Sequence, residues 1–142
     1  MPNSHRKLLL ALGIIMISAS NGWAADEADY VPMVSGGIGT DDMNNLLRIQ
    51  NQYNLKLLFT ENNGVYLSDL AVQITDSQHN VVANTRTDGP VLLVKLPRGT
   101  YHVEAREDDA ATREAKVTVS DNSLHTYQMR FPTRDPDAKD FE

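Results

Sequence analysis

Apolar and polar side chains alternate with a period of two in short segments between residues 55 and 131. Side chains of a β-strand point alternately to its two faces, so this period predicts strands with one buried face. Each segment ends in Gly, Pro, Asn, Asp or Ser, which tolerate turn dihedrals, and this spacing is typical of a β-sandwich or barrel. We predict seven strands: Leu55–Thr60, Asp69–Asp76, Val81–Thr87, Val91–Leu96, Thr100–Arg106, Arg113–Ser120 and Leu124–Phe131.

The alternation also assigns the residues that face the core. The predicted inward sets are Leu55, Leu57 and Phe59; Tyr101, Val103 and Ala105; Ala115, Val117 and Val119; and Tyr127, Met129 and Phe131. The run VLLVKL is nearly continuous, which indicates a strand that is central or covered on both sides. Within it, Leu92, Val94 and Leu96 are the predicted core residues.

The first 24 residues have the composition of a secretory signal peptide. Arg6 and Lys7 precede an apolar run, and Gly22 and Ala24 are the small residues of a cleavage site. The run from Leu8 to Ser18 is far shorter than the ~20 residues of a spanning helix, so a membrane anchor is the weaker alternative. We expect a periplasmic or secreted protein, cut near Ala24.

The cysteine content and the net charge limit which modifications and which classes of ligand are compatible with the sequence. The sequence contains no cysteine, which excludes disulfides and lipid attachment through a cysteine. The net charge is −6, and removal of Arg6 and Lys7 makes it two units more negative. An acidic surface repels phosphate groups, so we expect no nucleic-acid or anionic-membrane ligand and no transmembrane segment in the mature chain.

A loose lead, residues 25–39, precedes one amphipathic helix within residues 40–54, about Asp41 to Gln52. Thr40 or Asp41 is the predicted N-cap, and Asn54 is a predicted left-handed stop. Ile49 falls to one side of the apolar stripe. If the helix is undocked, the stripe is a partner-binding surface together with the glycines before it. These candidates are Gly36, Gly37, Gly39, Met43, Leu46, Leu47 and Tyr53. Residues 132–142 are charged and aperiodic, which predicts a disordered tail.

The segment LPRGTYHVEA, residues 96–105, joins two strands through Pro97 and Gly99 and returns on Tyr101. It resembles the pattern of carboxypeptidase regulatory-like domains, which are prealbumin-like (transthyretin-like) sandwiches. The segment VYLSDLAVQITDSQHNVV, residues 65–82, also fits the family, so the likeness extends over roughly residues 55–131. The combination of SGGIGTDD, YNLKLLF, YLSDLAVQIT and GPVLLVKLPRGTYHV resembles more specifically a small group of exported proteobacterial proteins of that family. It implies a stand-alone sandwich without peptidase chemistry. The C-terminal Tyr-Arg-Gly-Ser of the hydrolases with this fold is absent.

Three groups of residues are candidates for chemistry. The segment GGIGTDD could present backbone N–H groups to an anion, but Asp41 and Asp42 would repel a phosphate at that position. His102, Glu104 and Arg106 share one outward strand face and form an alternative ligand-binding stripe. The acidic clusters lack the spacing of a calcium loop. We expect no catalytic residues, no metal and no cofactor.

The sequence therefore predicts an all-β protein, an Ig-like or prealbumin-like sandwich of seven strands preceded by one short helix. The expected function is a non-enzymatic binding or assembly module for another envelope protein or a peptide. A small metal-dependent or hydrolytic enzyme on the polar stripe is one alternative. A structural or adhesive surface protein is the other.

Overall fold

The computed structural model describes residues 30–108 and 110–134. The predicted signal peptide, the start of the lead and residues 135–142 of the predicted tail lie outside this part of the chain. The elements are β1 (Met33–Gly36), α1 (Thr40–Ile49), a 3₁₀ turn (Gln50–Gln52), β2 (Leu55–Glu61), β3 (Ala71–Thr75), β4 (Val81–Arg86), β5 (Val91–Val94), β6 (Gly99–Arg106), β7 (Thr112–Val119) and β8 (His125–Phe131). No helix in the described ranges is long and apolar enough to cross a membrane.

The strands form two four-stranded sheets. The first has the order β1-β5-β2-β8 and the second has the order β4-β3-β6-β7. Every pair is antiparallel except β2 with β8, which run parallel from Leu55 beside His125 to Glu61 beside Phe131. Arg113 Nε donates to the Arg130 carbonyl at 2.9 Å and thereby links β7 to β8, across the two sheets.

The described residues contain eight strands, so the prediction of seven is wrong. The additional strand is β1, which lies in the Gly and Pro-rich lead and pairs with β5 from Met33 beside Val94 to Gly36 beside Val91. The helix consequently follows one strand of the sandwich and does not precede all of them. The four residues of β1, MVSG, are too few to show an alternation of apolar and polar side chains. Strand β1 is recognisable only from its pairing with β5 in the structure.

The predicted core is confirmed. One buried cluster between the sheets contains residues from both of them: Leu55, Leu57, Phe59, Leu67, Leu70, Val72, Ile74, Ala83, Leu92, Val94, Leu96, Tyr101, Val103, Ala105, Val117, Val119, Met129 and Phe131. Ala115 and Tyr127 are partly buried against it. Most predicted strand ends differ from the observed ends by one or two residues, as is usual where strands fray into turns.

The helix packs on the outer face of the first sheet. Leu46 is 3% exposed and forms a second buried cluster with Val91 and Leu93 of β5. Met43, Ile49 and Tyr53 are partly buried against the same cluster, so Ile49 belongs to the packed face and the prediction that set it aside is wrong. Strand β5 is therefore covered on both sides, which confirms the interpretation of VLLVKL.

Both predicted helix ends need correction. The N-cap residue is Gly39, not Thr40 or Asp41, and no side chain caps the first turn. The Asp42 carboxylate instead accepts the backbone N–H of Gly37. Asn54 does not adopt the left-handed conformation, because among the described non-glycine residues only Asp69 and His79 have positive φ. The 3₁₀ turn ends at Tyr53 in extended geometry.

Candidate functional site

The connection between β1 and α1 is a tight glycine turn. Gly37 and Gly39 have φ values of 108° and 87°, a region that residues with a Cβ rarely adopt. Gly36 lies directly against Gly89, where an added Cβ would come within 2.4 Å of the Gly36 backbone. The close approach brings the segment before β5 against the end of β1. The glycines of this turn therefore permit a backbone path and a close approach that residues with a Cβ would prevent.

A second turn presents Tyr66 beside the glycine turn. After β2 the chain reverses, with the Glu61 N–H donating to the Val65 carbonyl at 2.8 Å. Tyr66 then forms an isolated antiparallel bridge with Thr60. Leu67, which is buried in the main core, fixes the returning segment. The Tyr66 ring is consequently held on a short, anchored segment and projects into solvent.

The two turns border an open groove of about 540 Å³, which we call the glycine-turn groove. Its lining residues are Gly37, Ile38, Gly39, Thr40, Met43, Asn44, Tyr66, Leu67, Ser68 and Pro90. Ile38 is 63% exposed and Tyr66 is 58% exposed, and both line this groove. Large apolar side chains that lie together on a surface mark interaction sites more often than single exposed ones do.

The predicted partner-binding residues divide into three groups. Gly37, Gly39 and Met43 line the groove. Leu46 is buried and Tyr53 is partly buried in the cluster beneath the helix, so these two residues pack on the sheet. The remaining two do not line the groove: Gly36 is buried in β1, and Leu47 is 47% exposed on the helix.

Sequence reasoning missed Ile38, Tyr66 and Pro90. Ile38 carried a signal, because an isolated large apolar residue between two glycines has little local packing available. Tyr66 lies in a turn segment, NNGVYLSD, where an aromatic residue is out of place unless it contacts something. Neither signal shows that the two side chains meet at one groove, since that depends on the pairing of β1 with β5 and on the turn after β2.

The surroundings of the glycine-turn groove are acidic. Asp41, Asp42, Asp69 and Asp88 are exposed and lie within two positions of lining residues. Residues 31–47 and 57–85, which supply all of the lining except Pro90, contain no Lys or Arg. Such an unbalanced distribution produces a negative potential over the groove.

Two basic residues lie four positions from a lining residue: Arg48, which follows Asn44, and Arg86, which precedes Pro90. Arg48 Nη2 donates to Asn45 Oδ1 at 2.9 Å. Arg86 is already paired with carboxylates. Its guanidinium contacts the Asp69 carboxylate at 3.0 Å and the Asp108 carboxylate at 2.7 Å. Hydrogen bonds to Asp108 and then Asp69 raise the pKa of Arg86. This pair of contacts offsets part of the charge of Asp69 and leaves Asp41, Asp42 and Asp88 as the carboxylates of the rim.

The alternative polar stripe does not converge on one point. His102 lines a second groove of about 670 Å³, together with Thr75, Asp76, Ser77, His79, Thr100, Tyr101 and Lys116. Glu104 and Arg106 do not line it. The His102 imidazole instead contacts the Glu114 carboxylate at 3.3 Å, across to β7. Within the described ranges, no group of three or more His, Asp or Glu side chains could hold a metal ion.

Asp76 also lines the second groove, but its carboxylate is engaged in hydrogen bonds within the β3–β4 turn. Its Oδ1 accepts the backbone N–H groups of Gln78 and Asn80, both at 2.9 Å. The Asn80 hydrogen bond, followed by the others, lowers the pKa of Asp76. The Asp76 side chain therefore stabilises the β3–β4 turn.

Two further polar pairs are structural. The Glu107 side chain is 1% exposed, and its Oε2 accepts from Arg134 Nη2 at 2.8 Å and from Arg134 Nε at 3.0 Å. The Ser120 hydroxyl lies 2.9 Å from His125 Nε2, but that nitrogen also accepts the Ser120 backbone N–H at 3.2 Å. An imidazole nitrogen engaged by the backbone in this way holds the β7–β8 turn closed.

Comparisons with known proteins add no family. No protein-family model matches the chain, and a search of curated proteins found no significant match.

Proposed function

We propose that the chain is an exported, non-enzymatic binding or assembly module that contacts another envelope protein or a peptide through the glycine-turn groove. The observation that carries this proposal is the exposure of Ile38 and Tyr66 on one groove. The backbone beside each residue is anchored, by the Gly37 N–H hydrogen bond to Asp42 and by the Tyr66 bridge to Thr60, so little backbone entropy is lost when a partner covers them. Burial of an exposed aromatic and an exposed aliphatic side chain supplies the apolar anchor that protein interfaces use.

Export and family membership are parts of the same proposal. The N-terminal basic and apolar pattern supports a signal peptide and a periplasmic or secreted location. The corner at residues 96–101 supports a prealbumin-like, carboxypeptidase regulatory-like sandwich. There Gly99 has a φ of 154°, and the Tyr101 hydroxyl donates to the Pro97 carbonyl at 2.6 Å. Such a tyrosine anchors a strand to a preceding corner.

The absence of enzymatic activity is proposed from the geometry of the polar residues. Of the candidate stripe, His102 faces the second groove while Glu104 lies beside Glu114 across the sheet. A catalytic site needs an acid or base and a nucleophile directed at one reacting atom. The rival proposal, a small metal-dependent enzyme, is supported by His79 and His102 lining one groove. Titration with Zn²⁺, monitored through the NMR resonances of the histidine rings, separates the two proposals. Joint shifts of His79 and His102 would favour the metal-dependent enzyme, and no shift would favour the binding module.

The test of the binding proposal is affinity capture from an envelope extract of the host. The chain is used in its natural form and as the double variant Ile38→Ser with Tyr66→Ser. Val81→Ser is the matched control, because Val81 is an exposed aliphatic residue on β4, in the other sheet. We expect the natural chain and the control to retain the same partner and the double variant to lose it. Retention by all three chains would contradict a role for the groove.

A further inference from the structure

The glycine-turn groove combines an apolar floor with an acidic rim. Met43, Ile38 and Tyr66 provide the apolar surface. Asp41 follows the lining residue Thr40, and Asp88 lies two residues before the lining residue Pro90. Both carboxylates are exposed. Asp41 is seven positions from Arg48, and Asp88 is two positions from Arg86, whose guanidinium contacts Asp69 and Asp108 instead.

The position of the acidic residues is set by the fold around them. The Asp42 carboxylate lies on the glycine turn, where it accepts the Gly37 N–H. The Asp88 backbone N–H donates to Ser35 Oγ at 2.9 Å, which fixes the segment before β5 against β1. Asp69 is next to Ser68, another lining residue, and is partly neutralised by Arg86. Acidic residues therefore approach the groove from the helix, from the β4–β5 connection and from the segment before β3.

We propose that the occupant of this groove is a basic peptide segment of a partner protein, with an apolar anchor of one or two side chains flanked by Lys or Arg. This inference rests on the proposed function and specifies the partner's chemistry. The anchor covers Ile38 and Met43, and a flanking cation is attracted by the negative rim and by the face of the Tyr66 ring. Because like charges repel across an interface, acidic peptides are disfavoured at the same groove.

The first test compares three synthetic octapeptides of defined sequence. The probe is acetyl-Gly-Lys-Lys-Leu-Phe-Lys-Lys-Gly-amide. One comparison peptide replaces the four lysines with glutamates, and the other replaces Leu-Phe with Ser-Ser. Binding is measured from changes in the backbone amide chemical shifts of the isotopically labelled protein. The protein is purified from its host, so that any processing that occurs there has taken place. We expect the lysine probe to bind at least about tenfold more tightly than either comparison peptide, with shifts at residues 37–44 and 66–68.

The second test changes the rim without changing the groove floor. Asp41→Asn and Asp88→Asn together should weaken the lysine probe about fivefold or more at low salt, and salt should reduce the difference. The matched control is Asp121→Asn, since Asp121 is an exposed acid that lies 4.0 Å from Arg98 and outside the groove lining. That variant should bind like the natural chain.

The outcomes separate this inference from the proposed function. Tight binding of the glutamate peptide at the groove, or rim variants that bind the lysine probe as the natural chain does, would overturn the basic preference and leave the groove as a binding site. Shifts of the lysine probe confined to other surfaces would overturn the inference as well. If the natural chain binds none of the peptides and captures no partner from the envelope extract, the proposed function itself is contradicted.

Discussion

The side-chain amide of Asn54 and the backbone of Leu96 form a closed two-way pair of hydrogen bonds. Asn54 Nδ2 donates to the Leu96 carbonyl at 2.7 Å, and Asn54 Oδ1 accepts the Leu96 N–H at 2.8 Å. The same Nδ2 donates to the Ser120 carbonyl at 2.9 Å. Asn54 thereby joins the start of β2 to the chain segments that follow β5 and β7.

Replacement of Asn54 should destabilise the protein strongly. Asn54→Ala leaves the buried backbone groups of Leu96 without a partner, and we expect the free energy of unfolding to fall by about 2–4 kcal/mol. Urea denaturation followed by circular dichroism measures this change. Asn51→Ala, at an exposed position in the preceding 3₁₀ turn, is the control and should alter stability by less than about 0.5 kcal/mol. Equal effects of the two variants would contradict the role of Asn54.

Adjacent leucines on α1 should differ in their contribution to stability. Leu46→Ala empties a buried site against Val91 and Leu93 and should cost about 2–4 kcal/mol. Leu47→Ala, at a position that is 47% exposed, should cost less than about 1 kcal/mol. Thermal unfolding of both variants gives the comparison. A helix that does not pack on the sheet would give two similar small losses.

Tyr101 should make stability depend on alkaline pH. Burial, and then the nearby Asp76 charge, raises the pKa of Tyr101 above its usual 10.0. The folded state therefore favours the neutral phenol. This contribution is fully present below pH 10 and is lost as the pH rises through the higher folded value. Ultraviolet titration of phenolate should show a component that ionises above pH 10, and Tyr101→Phe should remove that component.

The same substitution tests the corner hydrogen bond at neutral pH. Tyr101→Phe removes the donor to the Pro97 carbonyl while keeping the ring in the core. We expect a loss of about 1 kcal/mol. Tyr66→Phe is the control, because the Tyr66 ring is exposed in the glycine-turn groove. A neutral result for Tyr101→Phe would show that the ring alone holds the corner.

Asp76 should make the stability of the fold decrease as the pH falls in the acidic range, whereas the Tyr101 contribution decreases as the pH rises in the alkaline range. Hydrogen bonds from the turn lower the pKa of Asp76 below its usual 3.8, so the folded state favours the carboxylate. The contribution is present above pH 3.8 and is lost as the pH falls through the lower folded value. Carbon-detected titration of the carboxyl group gives the pKa directly. Asp76→Asn should have a flatter stability profile in that range than the natural chain.

The features of the fold that depend on neighbouring residues could be predicted from the sequence, and those that depend on contacts between distant segments could not. Alternation identified the inward faces of β2 and β6, and the continuous run identified the doubly covered β5. The position of β1 was not predictable, because four residues ending in Gly36 become a strand only when Val91–Val94 are beside them. The role of Asn54 was hidden for a similar reason, since its partners are 42 and 66 positions away.

The candidate site was predictable in part. The glycines and Met43 were identified because turn chemistry and helical period are written in adjacent residues. The meeting of Ile38 with Tyr66 depends on tertiary structure, as does the packing of Leu46 that removes it from the exposed surface. Whether an apolar helical stripe is core or interface cannot be deduced from its period, because the same stripe serves both purposes.

The parallel pairing of β2 with β8 also affects when the protein can fold. Strand β2 pairs with β5 and also with β8, the last strand described, so the first sheet stays incomplete until residues 125–131 have been synthesised. Contacts of such long sequence separation slow folding. We therefore expect a nascent chain with this topology to complete its first sheet only after β8 has emerged.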